Sequence, residues 1–511
     1  MLKILDTMKQ NSVEFNPINK NEVKMYVCGP TVYDNPHLGH ARCYITWDVV
    51  YRYLKFLGYN VKYCRNITDV DDKILNKADK NHCQPSEIAT KYYNIFKQSM
   101  DDLNVLSPTY EPKATECINE MIKLIEKLIE NGFAYEVQGD VYFRVKKFNE
   151  YGKLSKQPLD DIKSGARVQV GDKKEDDMDF ALWKKDEKHG YQSPWGVGRP
   201  GWHIECSAMA KKYLGDTIDI HAGGADLIFP HHENEIAQSE AANGVKFVNY
   251  WLHNGFVTIN KEKMSKSLNN FISINDLLQK YDKNTIRLFI LTNHYRTGVE
   301  FNDEALNSAK NGVKRLNNSI NEGLAHINKD EKTLFDEFNI DISNINDLKY
   351  SDIKEKFDLS QLDSFILAMD NDFNTSKALA VLFDLASQIN KFIESGDKES
   401  ITKYLALLIL LSNILGLNFL NPNCDMDEKC NNALSQIIDK IDFLSDEEKK
   451  LPLSEVMNCI LSKRKQAREN KDWGLADKIR DTLKEANIFI KDTKNGAKVF
   501  HIVKTWKIQL N

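Results

Sequence analysis

Apolar positions in the first third of the chain alternate between two periods. VKMYVCG (23–29) is a short, nearly continuous apolar run that stops at glycine, the pattern of a buried strand. HARCYITWDVVYRYLKFLGY (40–59) follows with helical spacing and halts near Gly58. NVKYCRNIT (60–68) returns to strand character. This order predicts a β-α-β unit with a right-handed crossover onto a parallel sheet, where ligands bind at the carboxyl ends of the strands. Residues 28–29 and 66–69 fall at such ends.

The pattern breaks over 116–200, where strand pieces such as YEVQGDVYFRV mix with turn residues, as in an inserted α+β subdomain. It resumes with IDIHAGG (218–224) and WLHNGFVTI (251–259). From about 302 onward long amphipathic stretches with short polar connections predict a helical bundle. The resulting division is 1–115 and 201–255 for the two halves of an α/β domain, 116–200 for the insertion, and 256–310 for a connecting region. A bundle over 311–425 and a C-terminal domain over 426–511 complete it. Residues 329–362, rich in Asp, Asn and Lys, are expected to form an exposed, mobile insertion in the bundle. No solenoid repeat occurs.

Composition narrows the class. At 511 residues the chain needs several cores, and 42% apolar with 28% charged residues fits a soluble globular protein. The longest apolar run, 404–420, is broken by Ser412, Asn413 and Gly416 and reads as a buried bundle helix, not a membrane span. The N-terminus lacks a secretory apolar core, so a cytoplasmic location is expected. Nine cysteines without a CxxC pair argue against a disulfide framework or a zinc ribbon. Net charge is −5, but residues 463–511 carry 13 Lys/Arg against 6 Asp/Glu. A basic terminus can meet a phosphate backbone or can simply be a solvated helix face.

Two motifs suggest phosphate chemistry. In PTVYDNPHLGHAR (30–42), His37 and His40 flank Gly39 at a helix start. Free N–H groups and the helix dipole make an anion site there, and imidazoles can stabilise developing charge. KMSKS (263–267) places Lys263, Ser265, Lys266 and Ser267 in a short loop able to fold over a triphosphate. Taken alone, HxGH recurs by chance and KMSKS is an ordinary surface loop. A third cluster, FPHHENE (229–235), sets His231 and Glu235 on one face if helical, with His232 pointing about 100° away. With Cys28 and Cys206 these make a plausible zinc shell; Cys206 is equally a buried core cysteine and HHENE a polar helix start.

HLGH and KMSKS together resemble the signatures of class I aminoacyl-tRNA synthetases, with Leu38 in place of the usual isoleucine. YVCGPTVYD, RNITDVDDKI, RPGWHIECSAM, HAGGADLIFPHHENEIAQSEA and RKQARENKDWGLADKIRDTL extend the resemblance to the cysteinyl-tRNA synthetase family, from about residue 2 to the C-terminus. The resemblance implies a Rossmann-like catalytic domain with an insertion facing the tRNA acceptor arm, then a helical bundle and a small basic anticodon-binding domain. It implies one Zn²⁺ on Cys28, Cys206, His231 and Glu235, and Mg²⁺ with ATP. Gly39, Gly224, Asp226 and the KMSKS residues would contact ATP, and Gly29, Thr68 and Trp202 the substrate cysteine. His37, His40, Lys263 and Lys266 would act on the reacting phosphates. Arg468, Trp473, Asp477 and Asp492 would read the anticodon, although Trp473 also suits the core of a small helical domain. The partners would be ATP, L-cysteine and tRNA(Cys), with the chain a monomer.

Four protein ligands would close a tetrahedral site, so one ligand is expected to bind loosely, and Glu235 is the choice. Rival readings are a cysteine ligase of the mycothiol type, a methionyl-type synthetase and a non-catalytic tRNA-binding paralogue. The basic C-terminal domain, the missing CxxC pairs and the intact signatures count against these in turn.

Overall fold

A computed structural model describes residues 1–156, 173–259, 262–263, 271–420, 434–451, 453–486, 488–493 and 496–501. It divides into two compact units, Met1–Phe419 and Leu420–Asn511.

In the first unit, strands Val248–Asn254, Ile218–Gly224, Glu22–Val27 and Asn60–Arg65 lie side by side in that order, all parallel. From Glu22–Val27 the chain crosses to one side, and from Ile218–Gly224 to the other. The crevice between these two strands is therefore a topological switch point, open at their carboxyl ends. The expected strand at 251–259 is two strands: Val248–Asn254 stays in the main sheet, while Val257–Ile259 pairs with Val299–Phe301 and Glu262–Lys263 in a smaller one.

The crossover helix Leu38–Phe56 is buried along nearly its whole circumference, because it packs on the sheet on one side and on later helices on the other. Its buried charged residues are correspondingly held by partners. Arg42, fully buried, donates to the carbonyls of Ile290, His294, Tyr295 and Thr297 at 2.6–3.2 Å. Asp48 accepts from Arg52 at 2.9 Å and Arg287 at 2.6 Å. Burial raises the Asp48 carboxyl, but the two guanidinium groups outweigh it and hold it below the usual range.

The insertion carries helix Ile118–Glu130 and a four-stranded antiparallel sheet of Ala134–Val137, Asp140–Phe143, Phe180–Lys185 and Gly198–Pro200. Beyond the main parallel sheet come the long helices Asp303–Ile327, Thr375–Ser395 and Lys398–Ile414, the last buried as its apolar run requires. No helix among the described residues is long and apolar enough to cross a membrane.

The expectation for 329–362 needs correction. Instead of an exposed insertion, this stretch folds into short helices that bury Leu334, Phe335, Ile340, Ile345, Ile353 and Phe357. Asn346 accepts from Arg52 at 2.7 Å and from Asn413 at 3.0 Å, and Lys55 pairs with Asp347 at 2.7 Å. The segment straps the crossover helix to the bundle. Its apolar residues are irregularly spaced among Asp, Asn and Lys, so no single period announces the buried side.

The second unit holds helices Leu453–Glu469 and Trp473–Glu485 and a hairpin of Ile488–Thr493 with Gly496–His501. Its core gathers Leu434, Ile441, Val456, Met457, Ile460, Ile479, Leu483 and Ile488. The unit is therefore not purely helical: its last two elements are the paired strands of the hairpin.

Candidate functional site

The cleft at the switch point is lined by Cys28, Gly29, His37, Gly39, His40, Trp202, Gly224 and Asp226 among others. Gly29 follows the first strand, and a Cβ there would lie 1.5 Å from the Asn66 carbonyl oxygen, so no larger residue fits the strand end. Gly224 ends the third strand, and its Cβ would sit 2.5 Å from Asp226 Oδ1.

His37 caps the crossover helix. Its Nδ1 accepts the Gly39 N–H at 3.1 Å, and His40 Nδ1 accepts the His37 N–H at 3.2 Å. The rings stack with centroids 3.8 Å apart. Because each Nδ1 accepts from a backbone N–H, each neutral ring carries its proton on Nε2 and is a donor there. The chain leaving the KMSKS region returns to this point: Leu38 N–H bonds Ile272 O at 3.0 Å and Ile274 N–H bonds Pro36 O at 3.0 Å. The HLGH segment is thus hydrogen-bonded to residues 272–274, which follow KMSKS in the sequence. Lys263 ends the strand Glu262–Lys263, while Ser265, Lys266 and Ser267 lie outside the described residues.

Deeper in the cleft four buried side chains converge. Cys28, Cys206, His231 and Glu235 each offer an atom within 4.8 Å of the others'. Cys28 Sγ is 3.8 Å from Cys206 Sγ and 3.6 Å from Glu235 Oε1, and His231 Nε2 is 3.1 Å from Glu235 Oε1. Cys28 comes from a strand end, Cys206 from helix Trp202–Leu214, and Glu235 from helix Glu233–Asn243. Burial alone would push the His231 imidazole down, but Glu235 and the Cys206 thiol raise it to about 10. Burial raises Glu235, yet His221 and His231 bring it to about 2. Hydrogen bonding from Cys28 leads the effects that lower Cys206 to about 6. The cluster favours a positive charge at its centre, and two sulfurs, one imidazole and one carboxylate suit Zn²⁺.

A second set, Cys28, His221, His232 and Glu235, meets the same distance limit. His232 Nε2 lies 3.3 Å from Cys28 Sγ, which corrects its expected orientation away from the cluster. The 100° argument assumed a helix, but the helix starts only at Glu233. Residues Ile228–His232 form a wider turn with extended backbone at Phe229. We favour the set with Cys206, because two thiols hold zinc better than one and because His231 packs on Trp202, which lines the cleft, at 4.2 Å between rings. His221 Nε2 bonds Glu235 Oε2 at 2.8 Å, and His232 Nδ1 meets His253 Nε2 at 2.8 Å. Glu235 thus faces an imidazole at each oxygen, His231 at Oε1 and His221 at Oε2. Reading for charge clusters missed His221 and His253, single histidines within two almost wholly buried neighbouring strands.

Thr68 is buried behind Pro30 and Thr31, and Trp202 is 41% exposed at its helix start. In the second unit Arg468, Trp473 and Asp477 are all exposed, Trp473 at 58%, so this indole is not a core residue. Asp477 pairs with Arg480 at 2.8 Å. Asp492 lies on the first hairpin strand.

A family model described as tRNA synthetases class I (C) catalytic domain matches residues 14–311. A DALR domain matches 364–420, and a cysteinyl-tRNA ligase anticodon binding domain matches 452–499. A cysteine–tRNA ligase of Thermodesulfovibrio yellowstonii is 43% identical over 100% of both chains. One from a Geobacillus species is 44% identical over 97% of this chain and 98% of its own. Among solved structures, a Mycobacterium tuberculosis methionyl-tRNA synthetase with methionyl-adenylate superposes with a TM-score of 0.54 at 15% identity, over 77% of this chain and 89% of that one. Agrobacterium radiobacter LeuRS gives 0.55 at 10% identity, covering 80% and 88%. Those two likenesses concern the fold alone, but the match of the catalytic-domain model and the full-length identity go further: this chain belongs to the cysteine–tRNA ligase family of class I aminoacyl-tRNA synthetases.

Proposed function

We propose that the chain activates L-cysteine with Mg·ATP, giving cysteinyl-adenylate and pyrophosphate, and then transfers cysteine to the 3′-terminal adenosine of tRNA(Cys). The observation that carries this reading is the convergence, in one cleft, of the HLGH imidazoles and the Cys28–Cys206–His231–Glu235 donor set. Zn²⁺ held by those four residues would supply a soft Lewis acid for the substrate thiolate, which a serine hydroxyl matches poorly. Size alone separates such ligands by only about 10–200-fold. Gly29 and Trp202 shape the amino-acid pocket, with Thr68 behind it. Gly224 and Asp226 sit where the ribose of ATP would lie.

In the first step a substrate carboxylate oxygen attacks the α-phosphorus, and the bond to the β-phosphate oxygen breaks. His37 and His40 donate from Nε2 to the phosphates, and Lys263 and Lys266 neutralise the departing pyrophosphate. In the second, a terminal ribose hydroxyl attacks the carbonyl carbon and AMP leaves. No enzyme nucleophile is needed, because orientation and charge stabilisation supply the rate. The enzyme acts in the cytoplasm as a monomer. ATP–pyrophosphate exchange with cysteine against serine, followed by tRNA charging, tests the whole assignment. Exchange equally good with serine would defeat it.

Arg468, Trp473, Asp477 and Asp492 serve anticodon recognition, an exposed indole offering a stacking surface for an unpaired base. Trp473→Ala should raise KM for tRNA about tenfold, from about 1–3 kcal/mol of stacking, while tRNA-free pyrophosphate exchange stays at the wild-type rate. Equal losses in both assays would assign Trp473 to folding.

A further inference from the structure

Three polar side chains behind the amino-acid pocket are almost wholly inaccessible: Asn66 at 1%, Thr68 at 2% and Glu205 at 1%. They form a chain. Asn66 Oδ1 accepts the Gly29 N–H at 2.7 Å, Asn66 Nδ2 donates to Thr68 Oγ1 at 3.3 Å, and Thr68 Oγ1 donates to Glu205 Oε2 at 2.8 Å. We propose that Asn66, Thr68 and Glu205 are a positioning relay that turns one lone pair of the Thr68 hydroxyl toward the α-ammonium group of the bound amino acid.

One obligatory donor sets the direction of the relay. A backbone N–H can only donate, so Gly29 requires the oxygen of the Asn66 amide and leaves its NH₂ facing Thr68. A hydroxyl has one proton and two lone pairs. With Asn66 donating to it, Thr68 sends its proton to Glu205 and keeps one acceptor position. An ammonium group, which is donor-only, suits that position. Thr68 N–H also bonds Pro30 O, and Val32 N–H bonds Thr68 O, each at 3.1 Å. This register lays Thr68 against Pro30 and Thr31, which line the cleft. Asn66 follows the carboxyl end of the strand Asn60–Arg65, and Glu205 sits on the helix that bears Cys206.

The inference rests on the reading of Thr68 as part of the amino-acid pocket. Asn66→Asp keeps the acceptor for Gly29 but loses the donor to Thr68, so the hydroxyl proton is no longer directed. Loss of one hydrogen bond to a charged group is worth about 10–100-fold. In pyrophosphate exchange, Asn66→Asp, Glu205→Ala and Thr68→Val should each raise KM for cysteine by that factor. KM for ATP and zinc content should stay at the wild-type level, and Thr68→Ser should recover cysteine binding to within about threefold. 3-Mercaptopropionate, which has the thiol and carboxylate but no ammonium, should inhibit the Asn66→Asp variant as strongly as the parent enzyme. Weaker inhibition by this analogue in step with cysteine, or lost zinc, would make the relay a structural brace and overturn the proposal. If only Thr68→Val raises KM, the relay is wrong and the Thr68 assignment stands. If none does, Thr68 does not touch the amino acid.

Discussion

Cys206→Ala is expected to lose bound zinc and to lower cysteine-dependent pyrophosphate exchange by about a thousandfold or more. Four buried donors converge within 4.8 Å, and alanine would leave one sulfur, one imidazole and one carboxylate. A full structural shell contributes about 10–16 kcal/mol, so the loss of one of four donors is worth several kcal/mol. The activity loss corresponds to about 4 kcal/mol. Zinc content by mass spectrometry and exchange with both cysteine and serine check the prediction. A variant that retains zinc and still rejects serine would move the metal to the alternative set with His221 and His232.

The second large effect falls on His40. His40→Ala should cut the rate of adenylate formation by about 10²–10³, the usual cost of removing one donor aimed at developing charge. KM for cysteine should change little, since on the proposed function the ring acts on the phosphates and not on the amino acid. His40 also accepts the His37 N–H at 3.2 Å within a capping box. A cap is worth about 0.5–2 kcal/mol, so alanine would also lower Tm. His40→Gln keeps an acceptor at the capping position. With glutamine the Tm should recover while the rate stays at least tenfold down. Recovery of both together would reduce His40 to a helix cap.

These residues differ in how openly the chain displays them. The strand ends at Cys28 and Gly224 followed from apolar runs that stop at or near glycine, and the helix after HLGH from its period. The pairing of His231 with Glu235 followed from their spacing, and their side chains do meet at 3.1 Å. His232 was misplaced because spacing arguments presume regular helix, and the turn at Ile228–His232 is not one. The strap over 329–362 stayed hidden because composition averages over a few buried residues such as Phe335 and Phe357. Cys28 and Cys206 lie 178 residues apart, and no local pattern joins them; only the family resemblance did. The relay through Asn66 was equally invisible, since its parts are ordinary polar residues until the strand end and the helix are brought face to face.

That separation along the chain also sets a timetable for biosynthesis. Cys28 and Glu235 are 207 positions apart. At about 5–20 residues per second, about 10–40 s pass on the ribosome between making the first donor of the shell and making the last. For the first 178 of those positions the Cys28 thiol has no second ligand to share a metal with, and the sheet still lacks its neighbouring strand Ile218–Gly224. A nascent chain halted before residue 206 should therefore capture no zinc and leave Cys28 open to oxidants, while one released after residue 254 holds both the ligands and the strand that closes the crevice. On the proposed zinc site, metal capture would then be a late checkpoint of synthesis, one that reports whether the two halves of the sheet have met.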